Sequence, residues 1–103
     1  MAISDVRIQG GFYYVYDDKG KKISSTSISS AGELLGIGMD FMVFQRSGFT
    51  YTYDEKFKKI ASSSNSSLGE FKNTAGTTCN FVRSGFIYTF DKHLKKISSR
   101  PNR

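Results

Sequence analysis

Aromatic and β-branched residues alternate in three short stretches of this chain. Phe12, Tyr14 and Tyr16 fall on one side of an extended segment, with Tyr13 and Val15 on the other. Phe49, Tyr51 and Tyr53 repeat that first side against Thr50 and Thr52, and Phe86, Tyr88 and Phe90 repeat it against Ile87 and Thr89. Period two with these residue types is a strand pattern. The side that is aromatic in every copy is expected to be buried, and the mixed, Thr-rich side to meet solvent or a neighbouring unit. Each stretch ends at an aspartate, Asp17, Asp54 or Asp91, followed by a turn, Lys-Lys-Ile and a run of Ser and Thr. These carboxylates suit bonds from the amides of their own turns. Gly20 fits the left-handed position of the first turn. Phe57 and Leu94 hold the matching places, where a left-handed backbone costs about 1–2 kcal/mol, so those turns are expected to close differently. Ile23, Ile60 and Ile97 are expected to point inward from the strand that follows.

A further strand precedes each aromatic one, at Val6–Gln9, Val43–Arg46 and Asn80–Arg83, joined to it by Gly10-Gly11, Ser47-Gly48 and Ser84-Gly85 as in a tight hairpin. A fourth, weaker strand is read at Gly32–Gly36 and Gly69–Asn73. No segment carries a helical period, and Gly32 and Gly36 argue against a helix at Ala31–Leu35. Equivalent positions are separated by 37 residues without a gap. A strict period of this size marks an architecture whose units bury their apolar faces against one another. The chain thus reads as one domain, 1–103, of three antiparallel β-meander repeats, 1–37, 38–74 and 75–103, the last incomplete.

Meanders of this size resemble propeller blades, whose closed rings usually hold about 4–8 of them. Three are too few, so the favoured closure is a homodimer with six blades. The alternative is a monomer with pseudo-threefold symmetry, a β-trefoil or a β-prism. The phrase Gly-[Phe/Trp]-x-Tyr-x-[Tyr/Phe]-Asp-x-x-x-Lys-Lys-Ile-x-Ser, with the ending Lys95–Pro101, resembles a family of short bacterial proteins of about this length. In that family the first aromatic is usually Trp, where this chain has Phe12, Phe49 and Phe86. The resemblance implies a bacterial origin and an all-β repeat; it implies no activity.

Net charge is +6, which favours polyanions by long-range attraction. The single cysteine, Cys79, excludes an internal disulfide, and reads as a packing residue. No apolar stretch approaches the length of a membrane helix and no signal peptide is recognisable, so a cytoplasmic protein is expected, with unconventional export as the other route. The lone histidine, His93, lies at a turn with no second ligand beside it, and isolated aspartates before lysine-rich turns do not make a cation cage. The expectation is a protein that is not an enzyme, with no catalytic residue, metal or cofactor.

Two constellations remain as binding candidates. Arg46 and Arg83, in register with Gln9, together with Glu33, Glu70 and Tyr13, could line equivalent clefts for a glycan or protein ligand, or form structural Arg–Glu pairs between units. The lysine pairs Lys21-Lys22, Lys58-Lys59 and Lys95-Lys96 place positive charge at one point of every unit. They read first as solvated edge charge, and second as a rim for nucleic acid or another polyanion. The leading expectation is a non-catalytic binding module, with the polyanion binder as alternative.

Overall fold

The computed structural model describes residues 3–101 and is all-β, with strands in three antiparallel sheets. The first sheet holds β1 (Asp5–Gln9), β2 (Phe12–Tyr16) and β3 (Lys22–Ser27). A one-turn helix, α1 (Ile28–Ala31), leads to the second sheet: β4 (Glu33–Ile37), β5 (Phe41–Arg46), β6 (Phe49–Asp54) and β7 (Lys59–Ser64). A second one-turn helix, α2 (Asn65–Leu68), leads to the third: β8 (Glu70–Ala75), β9 (Thr78–Arg83), β10 (Phe86–Asp91) and β11 (Lys96–Pro101). Within each sheet the strands pair in chain order.

The sheets do not follow the division at residues 37 and 74. β4 and β8, the weak Gly-Glu strands, open the second and third sheets instead of ending the units before them, so the sheet with three strands is the first. The serine-rich stretches explain the switch. Ser27 and Ser64 cap α1 and α2, their hydroxyls accepting from the amides of Ser30 and Ser67. Those single turns, unmarked by any apolar period, carry the chain from one sheet to the next. Gly69 completes the joint at φ 95°, where a Cβ would stand 2.4 Å from the Val82 carbonyl oxygen. A side chain there meets both left-handed strain and a backbone atom that cannot move aside.

The sheets stack face to face. Tyr13 and Val15 of the first sheet pack against Met42 and Phe44 of the second, with Val6, Ile23, Tyr53 and Phe57 around them. The opposite face of the second sheet, Phe41 and Val43, packs against Cys79 and Phe81 of the third, with Ile60, Phe90 and Leu94 around those. Polar bonds tie the same junctions. The Ser24 hydroxyl donates to the Glu55 carbonyl (2.5 Å), and the Thr52 hydroxyl to the Lys92 carbonyl (2.6 Å). The Ile3 amide donates to the Met39 carbonyl and the Met39 amide to the Gly76 carbonyl, both at 2.8 Å.

This stacking departs from the expected burial. On the aromatic side Phe12, Phe49 and Phe86 are 44%, 46% and 43% exposed, and only Tyr53 and Phe90 pack against the cores between sheets. Tyr13, Val15, Thr50, Thr52 and Ile87, on the mixed side, are buried. Small β-branched side chains let the sheets approach, and their hydroxyls are satisfied, Thr50 by Asn65 Oδ1 and Thr52 by the Lys92 carbonyl. Ile23 and Ile60 pack inward, but Ile97 is 57% exposed because no sheet lies beyond the third.

The three aspartate turns share one geometry. Asp17 Oδ1 accepts from the amides of Lys19 and Lys21, Asp54 Oδ1 from Lys56 and Lys58, and Asp91 Oδ1 from His93 and Lys95. Gly20, Phe57 and Leu94 all adopt positive φ, at 78°, 61° and 60°. Phe57 and Leu94 therefore close as Gly20 does, against expectation. Their side chains enter the cores between sheets, and that burial offsets the backbone strain.

Candidate ligand cleft between the first two sheets

A cleft of about 200 Å³ opens between the first and second sheets, lined by Thr26, Ser30, Ala31, Tyr53 and Phe57. Its chemistry follows from the local structure. β3 ends at Ser27 with Thr26 on the face toward the second sheet, because Thr26 is paired across the strands with the inward Tyr13. α1 then adds the exposed Ser30 and the buried Ala31 to the lining. From the other side, β6 supplies Tyr53 and the aspartate turn supplies Phe57, their rings 6.1 Å apart and inclined at 61°. Both rings also touch Phe44, at 5.5 and 5.8 Å, so the apolar wall is held from behind. Burial pushes the Tyr53 phenol above its ordinary value despite the nearby Arg46 guanidinium, which keeps it a neutral hydroxyl over the physiological range. The cleft thus presents flat rings on one side and hydroxyls on the other.

The expected site residues do not assemble as a set. Arg46 stacks on Tyr51 at 4.9 Å and donates to the Ser30 carbonyl at the end of α1; Arg83 repeats this with Tyr88 at 4.7 Å and the Ser67 carbonyl. Both clamp the joints between sheets. Glu33 is paired across the strands with Gln45 and Glu70 with Val82, the neighbours of the arginines in sequence, which puts each Glu on the face opposite its Arg. Glu33 and Glu70 are exposed, and no Arg–Glu ion pair forms among the described residues. Tyr13 is buried, 4% exposed, with its hydroxyl donating to the Gly32 carbonyl at 2.6 Å. It belongs to the core between sheets and presents no ring to solvent.

The lysine pairs divide their work. The second lysine of each pair lies on a tyrosine ring: Lys22 on Tyr14 (5.1 Å), Lys59 on Tyr51 (6.0 Å) and Lys96 on Tyr88 (5.7 Å). The first, Lys21, Lys58 or Lys95, closes its aspartate turn through its backbone and leaves its side chain in solvent. A second cleft, about 250 Å³, gathers Lys21, Lys22 and Lys56 with Ile23 and Asp17. The Asp17 carboxyl is held below its usual range, chiefly by the Lys21 amide. Cys79 is fully buried and its thiol is pushed up to about 12, first by burial and then by Asp91, so it is no nucleophile at neutral pH. His93 is exposed. Among the described residues no three His, Cys, Asp or Glu side chains cluster as metal ligands, and no helix is long and apolar enough to cross a membrane.

Sequence reasoning missed Thr26, Ser30, Ala31, Tyr53 and Phe57 as a group. The available signal was Phe57 itself, an aromatic at a position that favours glycine. Comparison with protein-family models, curated proteins and solved structures finds no match to this chain.

Proposed function

We propose that the protein is a non-catalytic binding module whose three sheets act as propeller-like blades, two chains together supplying six, and that its ligand is a glycan held between the first two sheets. The observation that carries this reading is the cleft with Tyr53 and Phe57 on one side and the Thr26 and Ser30 hydroxyls on the other. A sugar has an apolar face that covers aromatic carbon and a rim of hydroxyls that needs hydrogen-bonding partners, and a concave site of both kinds suits it. The next junction is built differently. Position by position, Leu68 stands where Ala31 stands, Phe90 where Tyr53 stands and Leu94 where Phe57 stands, so the matching wall loses the phenol hydroxyl and one of its two rings. One ligand per chain is expected.

The test is a glycan array followed by titration of intrinsic tyrosine fluorescence with the hits. Ala31→Leu, which copies the residue of the second junction, is expected to abolish binding while the far-UV circular dichroism is unchanged. An array without hits, or binding untouched by Ala31→Leu, refutes the assignment. A second reading, a polyanion binder, is favoured by the cleft of Lys21, Lys22 and Lys56. It requires single-stranded DNA affinity that falls with salt by about 0.7 log units per tenfold salt for each phosphate neutralised. Absent or salt-insensitive binding removes it.

A further inference from the structure

The two outer faces of the stack are the two halves of a junction that the molecule already makes twice. Each internal junction has a giving face and a receiving face. On the giving side Ile23 enters the core between the first and second sheets, and Ile60 that between the second and third. Ile97, at the same register position of the third sheet, is 57% exposed. The hydroxyl bonds across the junctions show the same series. Ser24 reaches the Glu55 carbonyl, and Thr52, cross-strand neighbour of Ala61 at the Ser24 position, reaches the Lys92 carbonyl. The third sheet carries hydroxyls at both places, Thr89 paired with Ser98; Thr89 gives its proton to Asn80, which leaves Ser98 to continue the series. The carbonyl that continues the series, 37 positions before Glu55, is that of Asp18 in the first sheet.

The receiving side continues as well. Tyr53 with Phe57, and Phe90 with Leu94, receive the preceding sheet. The first sheet offers Tyr16 with Gly20, the glycine leaving open space where the other turns send a side chain into a core. We propose that a second copy of this chain docks there, head to tail. The Ile97, Thr89 and Ser98 face of each third sheet covers the Tyr14, Tyr16 and Gly20 face of the other chain's first sheet, and two such contacts close a pair of chains about a twofold axis. The inference rests on the blade-like reading of the sheets and names the surfaces that join them.

The seam differs from the internal junctions in one respect that fits separable subunits. Arg7 and Asp5 stand where the second sheet has Phe44 and Met42, and Asn80 stands where Val43 and Val6 stand. Arg7 bonds Asp5 at 3.0 Å and stacks 4.4 Å over Tyr16; Asn80 Oδ1 accepts from the Thr89 hydroxyl at 2.6 Å. Surfaces that meet water before they meet a partner keep polar groups of this kind, whereas the interior of one chain does not. The contact is therefore weaker than the internal junctions and dissociates on dilution.

Light scattering and sedimentation velocity of the full chain across a dilution series test this. The expected mass is twice the 11.5 kDa of one chain at high concentration. Ile97→Glu, on an exposed side chain, and Tyr16→Ser, on the other face, are each expected to raise the dissociation constant at least about tenfold. An equimolar mixture of the two variants is expected to dimerise better than either alone, because the mixed pair retains one contact free of both substitutions. A strict monomer overturns the proposal, as does a dimer indifferent to Ile97→Glu. The glycan cleft lies within one chain. A monomer that binds glycan refutes the head-to-tail contact alone, and a dimer without glycan binding refutes the ligand reading alone.

Discussion

Replacing Phe57 separates two opposing energies that meet at one residue. Its backbone sits at φ 61°, and its ring lies 5.8 Å from that of Phe44 and 6.1 Å from that of Tyr53. Truncating a fully buried Phe to Ala costs about 3–5 kcal/mol. Phe57 is half-buried, so the packing loss is about half of that, ~2 kcal/mol. Phe57→Ala suffers this loss and keeps the left-handed strain. Phe57→Gly suffers the same loss but relieves about 1 kcal/mol, since glycine adopts positive φ freely. The expected order of stability is wild type, then Phe57→Gly about 1 kcal/mol below, then Phe57→Ala about 1 kcal/mol lower again. Urea unfolding at one fixed protein concentration, followed by circular dichroism, measures the differences, and the fixed concentration holds any contribution from association constant across the variants. If Phe57→Gly is more stable than wild type, the ring does not offset the strain. If Phe57→Ala equals or exceeds Phe57→Gly, the backbone at this position is not strained, and the account of the turn fails.

Ser47→Asn is expected to stabilise the protein by roughly 0.5–1 kcal/mol, because Ser47 at φ 53° and Gly48 at φ 82° form a hairpin turn for which Asn-Gly is preferred; unchanged or lowered thermal melting contradicts that turn type. Asp17 is expected to supply stability that is complete above the ordinary carboxylate range, about pH 4, and fades as the pH falls through its lower folded value, since its charged form is held by the Lys21 and Lys19 amides. Thermal melts between pH 2 and 5 read this out, as rough bounds around the carboxylate range; Asp17→Asn is expected to show the shallower acid loss, and an equal or steeper loss contradicts it. Cys79 is expected to resist Ellman's reagent in the native protein at pH 8, an alkaline condition near the ordinary thiol range, and to react fully in denaturant; rapid native labelling contradicts the buried, neutral thiol.

The parts legible in the sequence were those fixed by neighbours along the chain. Alternation located the aromatic strands, the Gly10-Gly11, Ser47-Gly48 and Ser84-Gly85 pairs located the hairpins, and the aspartate turns close on their own amides as their spacing implies. The parts that were not legible depend on what stands across a junction. Hydrophobicity alone pointed to Phe12, Phe49 and Phe86 as buried, yet in a stack the middle sheet has neighbours on both faces, and β5 is buried at Phe41, Met42, Val43 and Phe44 in succession. Phe57 and Leu94 looked unfit for a left-handed turn because their packing partners lie on other strands. The Arg–Glu clefts failed for a simpler reason. Arg46 and Glu33 lie on two neighbouring strands, but cross-strand pairing sets Glu33 opposite Gln45 and therefore on the reverse face.

The copies agree wherever the fold needs agreement, so the places where they differ carry the information about function. A position that only has to build a sheet can be filled alike each time, as Asp17, Asp54 and Asp91 are. Ala31 and Tyr53 depart from Leu68 and Phe90 at the junction that holds the described cleft. Gly20 departs from Phe57 and Leu94 on the one receiving face that has no sheet against it within the chain. Arg7 departs from Phe44 and Phe81 on that same face, and Asn80 departs from Val6 and Val43 on the face at the other end of the stack. If the end faces were meant only for water, nothing would maintain Tyr14 and Tyr16 on one and Ile97 on the other, since a terminal unit in a stack is capped by polar residues. Each end face thus mixes apolar groups with polar ones, Tyr14 and Tyr16 beside Asp5 and Arg7 on one and Ile97 beside Thr89 and Asn80 on the other. The proposed reversible contact between two chains would account for both.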